Sequence, residues 1–307
     1  MNVLVAVAVR AERWRDAFAA RLPAARLHLW PGDAPAEVDY ALVWKPDGEA
    51  FRQVEVRRAI FNLGAGVDAL LAVPSLPQGV PIVRLEDAGM AVQMAEYAVF
   101  EVLRAYRDVG HYMRAQQEGR WAPLARRDPA SFGVGILGAG VLAQAVAAAL
   151  APFRFPIATW SRSAHARPGV ESFAGRGRLP AFLARSRVVI GLLPSTRDTR
   201  GLLDAAAFAA MPAGAHVVNL GRGDLVVDAD LLAALDAGHL AHATLDVFGD
   251  EPLSPGHAFW HHPKVTITPH VSAVTDLGET VAQVAAKIEA LERGEPISGI
   301  VDRARGY

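Results

Sequence analysis

Short apolar runs alternate with longer segments of helical period along the whole chain, and they fall into two series. The first contains VLVAVAV (3–9), ARLHLW (25–30), DYALVW (39–44), IFNLG (60–64) and VPIVRL (80–85). Each has the length and the β-branched, aromatic content of a buried strand. Between them, AERWRDAFAARL (11–22) and GEAFRQVEVRRA (48–59) space their apolar residues as helices do. A continuous helical pattern then runs from Met90 to Trp121 with no proline or glycine before Gly110, and it is expected to link one domain to the next.

A second series follows: SFGVGILG (131–138), PIATWS (156–161), RVVIGLLP (187–194), AHVVNLG (215–221), HATLDVF (242–248) and KVTITPH (264–270). Helical patterns such as VLAQAVAAALAPF and DADLLAALDAG separate these runs. Alternation of this kind implies parallel sheets covered by helices. The last helical pattern, DLGETVAQVAAKIEALERG (276–294), is expected to return the chain to the first domain. The organisation expected is a discontinuous first domain, 1–94 with 275–307, and an inserted domain, 95–274.

The run FGVGIL leads into Gly138-Ala139-Gly140-Val141-Leu142-Ala143, and a helix pattern follows at once. This is the strand, turn and helix setting that a G-x-G-x-x-G/A dinucleotide fingerprint requires. The first glycine permits the tight turn and the second lets backbone approach a pyrophosphate at the helix N-terminus. Gly138, Gly140, Val141 and Leu142 are therefore candidate cofactor residues. An acid usually stands at the end of the next strand to bind the adenine ribose. Here, about 24 residues after the first glycine, stand Ser161, Arg162 and Ser163. A carboxylate repels a 2′-phosphate, whereas a guanidinium grips it with paired charge-assisted hydrogen bonds and hydroxyls add more. The cofactor expected is NADPH, with NADH weaker.

Three runs of the second series end in charged chemistry: AHVVNLG before Arg222, HATLDVFGD before Glu251, and KVTITP before His270. The carboxyl ends of parallel strands share one edge, so these side chains can converge. An arginine fork suits a substrate carboxylate, a histidine suits proton donation, and a glutamate suits orienting the imidazole. Taken singly, each admits a structural reading as a surface turn, a loop acid or a structural histidine. His261-His262-Pro263 is read as a pair of loop histidines, since adjacent histidines rarely face one metal ion.

Composition narrows the classes. The chain has 307 residues, of which 52% are hydrophobic, enough for about two domains. With 31 basic and 32 acidic side chains the formal net charge is -1, so no overall field attracts nucleic acid or anionic membrane. There is no cysteine, which removes disulfides, thiolate metal sites and a cysteine nucleophile and favours a cytoplasmic location. The opening MNVLVAVAV lacks the basic region of a signal peptide and reads as a core strand. No apolar run reaches the ~20 residues of a membrane helix.

NLGRGDLVVDADLLAALDAGHLAHATLDVFGDEPL followed by TPHVSA, together with LLPSTRDTRGLL, resembles the signature of the D-isomer-specific 2-hydroxyacid dehydrogenase family. In the first domain, Trp44-Lys45-Pro46, the loop from Asn62 to Asp68, VPIVRLEDAGMAVQMAEY and the terminal VDRARGY resemble the glyoxylate/hydroxypyruvate reductase A type of that family. The resemblance implies an α/β fold of two doubly wound parallel-sheet domains, a flavodoxin-like substrate domain and a Rossmann cofactor domain. It implies Arg222, Glu251 and His270 as the catalytic set, with Asp246 touching the nicotinamide carboxamide and Pro194 and Thr199 beside the nicotinamide and pyrophosphate. It further implies that backbone N–H groups near Ala65 and Gly66 hold the substrate carboxylate and that the protein is a homodimer. Trp44 reads equally as a residue closing the pocket and as a core tryptophan, and LGAGVD also reads as a turn before a helix. The activity expected is reduction of a small 2-oxo acid. Alternatives are a dehydrogenase of larger 2-oxo acids and a non-catalytic cofactor-sensing protein; the second leaves the Arg-Glu-His set without a purpose.

Overall fold

A computed structural model describes residues 1–307, and the chain divides into two compact units, Met1–Met90 with Val274–Tyr307, and Ala91–Ala273. The first unit holds five strands: β1 (Asn2–Val7), β2 (Arg26–Leu29), β3 (Glu37–Trp44), β4 (Glu55–Asn62) and β5 (Ile82–Val83). All pair in parallel in the order β2-β1-β3-β4-β5, which is the flavodoxin-like doubly wound order. β1 and β3 are wholly buried at their centres, as strands covered on both faces must be.

The segment GEAFRQVEVRRA departs from its expected helix. Only Ala50–Gln53 is helical, and Glu55 opens β4, whose first half alternates outward Glu55 and Arg57 with buried Val56. Val54 and Val56 are buried in the cluster that lines this face of the sheet. Their β-branched side chains favour the strand that this packing rewards.

The C-terminal helix Leu277–Glu292 buries Val281, Val284, Ala285 and Ile288 against the other face of the first sheet. Asp276 caps it by accepting from the N–H of Glu279 at 2.9 Å. The chain beyond it is stitched alongside β5: Val301 N–H donates to Ile82 O at 2.8 Å and Arg84 N–H to Gly299 O at 2.9 Å. Lys287 closes the same junction by donating to Glu86 at 2.9 Å and to Ser298 O at 3.0 Å.

The second unit holds β6 (Val134–Leu137), β7 (Ile157–Ser161), β8 (Val170–Ala174), β9 (Val188–Gly191), β10 (Ala215–Asn219), β11 (Leu240–Leu245) and β12 (Val265–Ile267). The parallel sheet runs β12-β11-β10-β9-β6-β7-β8, so its order reverses between β6 and β9, the switch point at which such sheets bind ligands. β8 adds a strand that the apolar pattern does not announce: it is an edge strand, and only Phe173 in it is buried.

The helical pattern at Met90–Trp121 is two helices, Met90–Tyr106 and Val109–Gln117, broken at Asp108, where φ is +52°. Asp is among the few non-glycine residues that visit this left-handed region. Rather than linking the units, the first helix belongs almost entirely to the second, packing Met94, Ala98, Val102 and Ala105 into its core. Beside that stripe a polar one bonds the sheet's threonines: Tyr97 to Thr268 at 2.7 Å, Arg104 to Thr266 at 3.0 Å, and Glu101 accepting from Thr244 at 2.7 Å. No helix is long and apolar enough to cross a membrane.

His242 of β11 bonds the same Thr266 hydroxyl through Nε2 at 2.9 Å, and His216 of β10 lies beside it with ring centroids 6.2 Å apart. Thr266 thus accepts from Arg104 and shares a second hydrogen bond with the His242 imidazole. Burial, with the nearby Arg127 and Arg187 guanidinium groups, lowers His216 from 6.5 to about 4. Burial and Arg104 lower His242 to about 3. Between pH 6.5 and these values the unfolded chain binds protons that the folded chain refuses, so stability falls as pH falls through that window. Thermal unfolding from pH 7 to 4.5 should show this decline, and His242→Gln, which takes up no proton, should flatten it; an undiminished decline in the variant would exclude His242 as a source.

Candidate active site

The backbone at the end of β10 is fixed by close approaches that only glycine permits. A Cβ on Gly221 would lie 2.8 Å from Leu193 O, and one on Gly223 would lie 1.8 Å from the Phe248 carbonyl carbon. Arg222 stands between them in extended conformation, φ −140°. Asn219, itself buried, donates to the Arg222 carbonyl at 2.9 Å, and the Arg222 guanidinium donates to Gly221 O at 2.7 Å. The arginine is thus held in a defined turn and not in a free surface loop.

On the next strands, Glu251 follows β11 and His270 follows β12. His270 Nδ1 and Glu251 Oε2 are 2.8 Å apart, and the other oxygen of Glu251 accepts the N–H of Phe248 at 3.1 Å. An ionised carboxylate only accepts, so the shared proton resides on Nδ1 and Nε2 is the nitrogen left for a substrate. The imidazole is 44% exposed, enough for Nε2 to be reached.

His270 has φ +55°, a left-handed conformation that disfavours a residue with a Cβ by about 1–2 kcal/mol. Asp246, 0% exposed at the end of β11, holds the turn in that shape. Its carbonyl accepts from His270 N–H at 2.8 Å, one carboxylate oxygen accepts from Val271 N–H at 2.9 Å and Thr268 Oγ1 at 2.6 Å, and the other accepts from Ser272 N–H at 2.9 Å. Since Thr268 gives its proton to Asp246, Tyr97 donates to Thr268. Burial, outweighing the bond to Thr268, raises the Tyr97 phenol and keeps that donor protonated. In this structure the Asp246 carboxylate is enclosed by its own chain. Tyr97 and Thr268 escaped the sequence reading because they are 171 residues apart, and Asn219, three residues from Arg222, because a lone polar residue at a strand end carries no distinguishing mark.

The cofactor loop begins at the switch point. Gly138 has φ +129°, and a Cβ there would lie 3.1 Å from Leu192 O. Gly140 is the N-cap of the helix Val141–Leu150, with no side chain capping its first turn, and a Cβ on Gly140 would meet nothing within 4 Å. Val141 is exposed and Leu142 half-buried beside this open space, while Ala143 is buried and lets the helix lie close to the sheet. An uncapped N-terminus facing open space is a cradle for an anion such as a pyrophosphate, so these residues fit a dinucleotide. Ser161 ends β7, and no carboxylate stands among Ser161, Arg162 and Ser163. On the other side of the switch point, after β9, Thr199 Oγ1 donates to Pro194 O at 2.6 Å and closes that loop on itself.

Trp44, Ala65 and Gly66 lie in the first unit. The Trp44 ring rests against Gly64, where a Cβ would lie 1.9 Å from a ring carbon. The buried Asn62 amide donates to the carbonyls of Gly64 at 2.8 Å and Gly66 at 2.9 Å, fixing a loop in which Ala65 and Gly66 are half-buried. Trp44 is half-buried against the core of this unit and is also the wall of that loop.

Comparison with known proteins points to one family. Residues 99–272 match the model of the D-isomer specific 2-hydroxyacid dehydrogenase NAD binding domain. The chain is 45% identical over 302 residues to glyoxylate/hydroxypyruvate reductase A of Yersinia enterocolitica, spanning 97% of this chain and 96% of that one. It is 48% identical over 304 residues to the protein of the same name from Serratia proteamaculans, with coverage of 97% and 96%. Among solved structures it resembles a D-isomer specific 2-hydroxyacid dehydrogenase from Xanthobacter autotrophicus in complex with NADPH and MES, with TM-score 0.93, 41% identity and coverage of 100% and 99%. It also resembles an NADPH-dependent glyoxylate/hydroxypyruvate reductase from Sinorhizobium meliloti in complex with NADP and sulfate, with TM-score 0.92, 36% identity and coverage of 100% and 99%.

Asp246→Asn tests the hold on the histidine turn. The amide keeps one acceptor and turns an NH2 toward a buried N–H donor, which should destabilise the protein by about 1–3 kcal/mol. Thermal unfolding should register that loss, and the single-turnover rate should fall further than cofactor affinity; a variant with wild-type stability and rate would refute the arrangement.

Proposed function

Because the chain belongs to the D-isomer specific 2-hydroxyacid dehydrogenase family, we propose that it is an NADPH-dependent reductase of small 2-oxo acids, converting glyoxylate to glycolate and hydroxypyruvate to D-glycerate. The observation that carries this reading is the His270–Glu251 pair at 2.8 Å on the sheet edge that also bears Arg222. The arginine fork suits the substrate carboxylate and draws electron density from the neighbouring carbonyl. His270 gives the proton on Nε2 to the carbonyl oxygen while Glu251 keeps the Nδ1 proton and the ring plane fixed. When bound, the nicotinamide supplies the hydride that the keto carbon receives. When bound, the cofactor would rest on Gly138, Gly140, Val141 and Leu142 at its pyrophosphate and on Arg162 and Ser163 at the 2′-phosphate, with Ser161 shaping that turn through its bond to the Ser163 carbonyl. Pro194, Thr199 and Asp246 frame the nicotinamide side, Asp246 by shaping the turn of His270. In the first unit, the N–H groups of the Ala65–Gly66 loop, walled by Trp44, suit the substrate carboxylate.

Self-association as a homodimer suits the apolar residues exposed between positions 92 and 124, among them Val92, Phe100, Met113, Trp121 and Leu124, since apolar side chains exposed together mark interaction surfaces. A cytoplasmic location suits a chain without cysteine.

Initial rates with glyoxylate should be higher with NADPH than with NADH at matched concentration, and His270→Asn should lower kcat by about 10²–10⁴-fold while NADPH still binds. Turnover restricted to larger 2-oxo acids would move the substrate assignment, and wild-type turnover in the His270 variant would end the proton-donor role. Arg162→Ala should raise KM for NADPH far more than KM for NADH.

A further inference from the structure

The turn after β7 places a serine hydroxyl beside an imidazole. Ser161 Oγ donates to Ser163 O at 2.7 Å, so its single proton shapes the turn. Ser163 Oγ lies 3.2 Å from His165 Nε2. The backbone is pinned there as well, since His165 N–H donates to Ser172 Oγ of β8 at 3.1 Å. β8 pairs with β7 with Ser172 opposite Thr159, so the loop that carries the hydroxyl and the imidazole is anchored to the strand pair through His165 N–H.

A phosphate group is rich in acceptors, and its dianion offers no proton to donate. A serine hydroxyl helps bind it only by turning its own O–H to a phosphate oxygen. If His165 presents a bare Nε2, Ser163 gives its proton to the ring and faces the phosphate with lone pairs, which repel it. If Nε2 carries a proton, the ring donates to Ser163 Oγ and the serine proton is released toward the phosphate.

Resting on the reading of this turn as the 2′-phosphate site, we propose that His165 is a specificity-determining, positioning residue: its Nε2–H donates to Ser163 and directs the Ser163 hydroxyl at the 2′-phosphate of NADPH. NADH has no such group, so the effect is confined to the phosphorylated cofactor and to its binding.

The test is the ratio of KM for NADPH to KM for NADH, with kcat for each, at saturating glyoxylate in wild type, His165→Ala, His165→Gln and Arg162→Ala. His165→Ala should raise the ratio about fivefold, through KM and not kcat. Glutamine places an N–H donor where Nε2 stood, so His165→Gln should restore most of the ratio. A wild-type ratio in His165→Ala, alongside a raised one in Arg162→Ala, overturns the role of His165 and leaves the phosphate site standing. Failure of glutamine to restore it overturns the donor argument. A wild-type ratio in Arg162→Ala overturns the phosphate site, and this inference with it.

Discussion

The working end of the second sheet depends on one buried carboxylate. Asp246 is fully enclosed at the end of β11, and its oxygens meet the Thr268 hydroxyl and the N–H groups of Val271 and Ser272. Bonds of this kind, to a charged acceptor away from water, are each stronger than a neutral one. Together they exceed the penalty of the left-handed backbone at His270, so the turn keeps a conformation that the residue would not choose alone. The imidazole is then directed toward Glu251, and Tyr97 completes the chain of donors from a helix far away in sequence. Arg222 is fixed by a different means, the exclusion of any side chain at Gly221 and Gly223. One charged group is placed by a buried carboxylate, the other by close backbone contact joined to the Asn219 bond on its carbonyl.

Much of this architecture was legible in the residue pattern because buried parallel strands must be apolar on both faces. β1, β6 and β9 therefore stand out as nearly continuous apolar runs. Where burial is one-sided the signal fades. β8 buries only Phe173, and the first half of β4 carries Glu55, Arg57 and Arg58 at a spacing that fits a helix as well as an outward strand face. The long helical pattern concealed its break because Asp108 adopts a left-handed conformation without the usual glycine.

The candidate site divides in the same way. Residues that follow apolar runs, such as Arg222, Glu251 and His270, were visible because topology brings strand ends to one edge. The groups that hold them were not, because Tyr97, Thr268 and Asn219 bear no mark beyond being polar in apolar surroundings. At the β7 turn the sequence shows two serines as equivalent hydroxyls, whereas the structure separates them, one turned into the backbone and one toward an imidazole.

The stitching of the C-terminal segment along β5 has a consequence for how the protein is made. Met1–Met90 and Val274–Tyr307 form one unit, and the unit between them is a single uninterrupted stretch. During synthesis the middle unit is complete in sequence while the first still lacks the helix that covers one face of its sheet and the segment that bonds Ile82 and Arg84. Domains that emerge whole fold as they emerge, so the nascent chain carries a half-covered sheet and a finished middle unit until Val274–Tyr307 is released. Order of assembly and order of sequence are therefore not the same in this protein, and the unit that begins first is completed last.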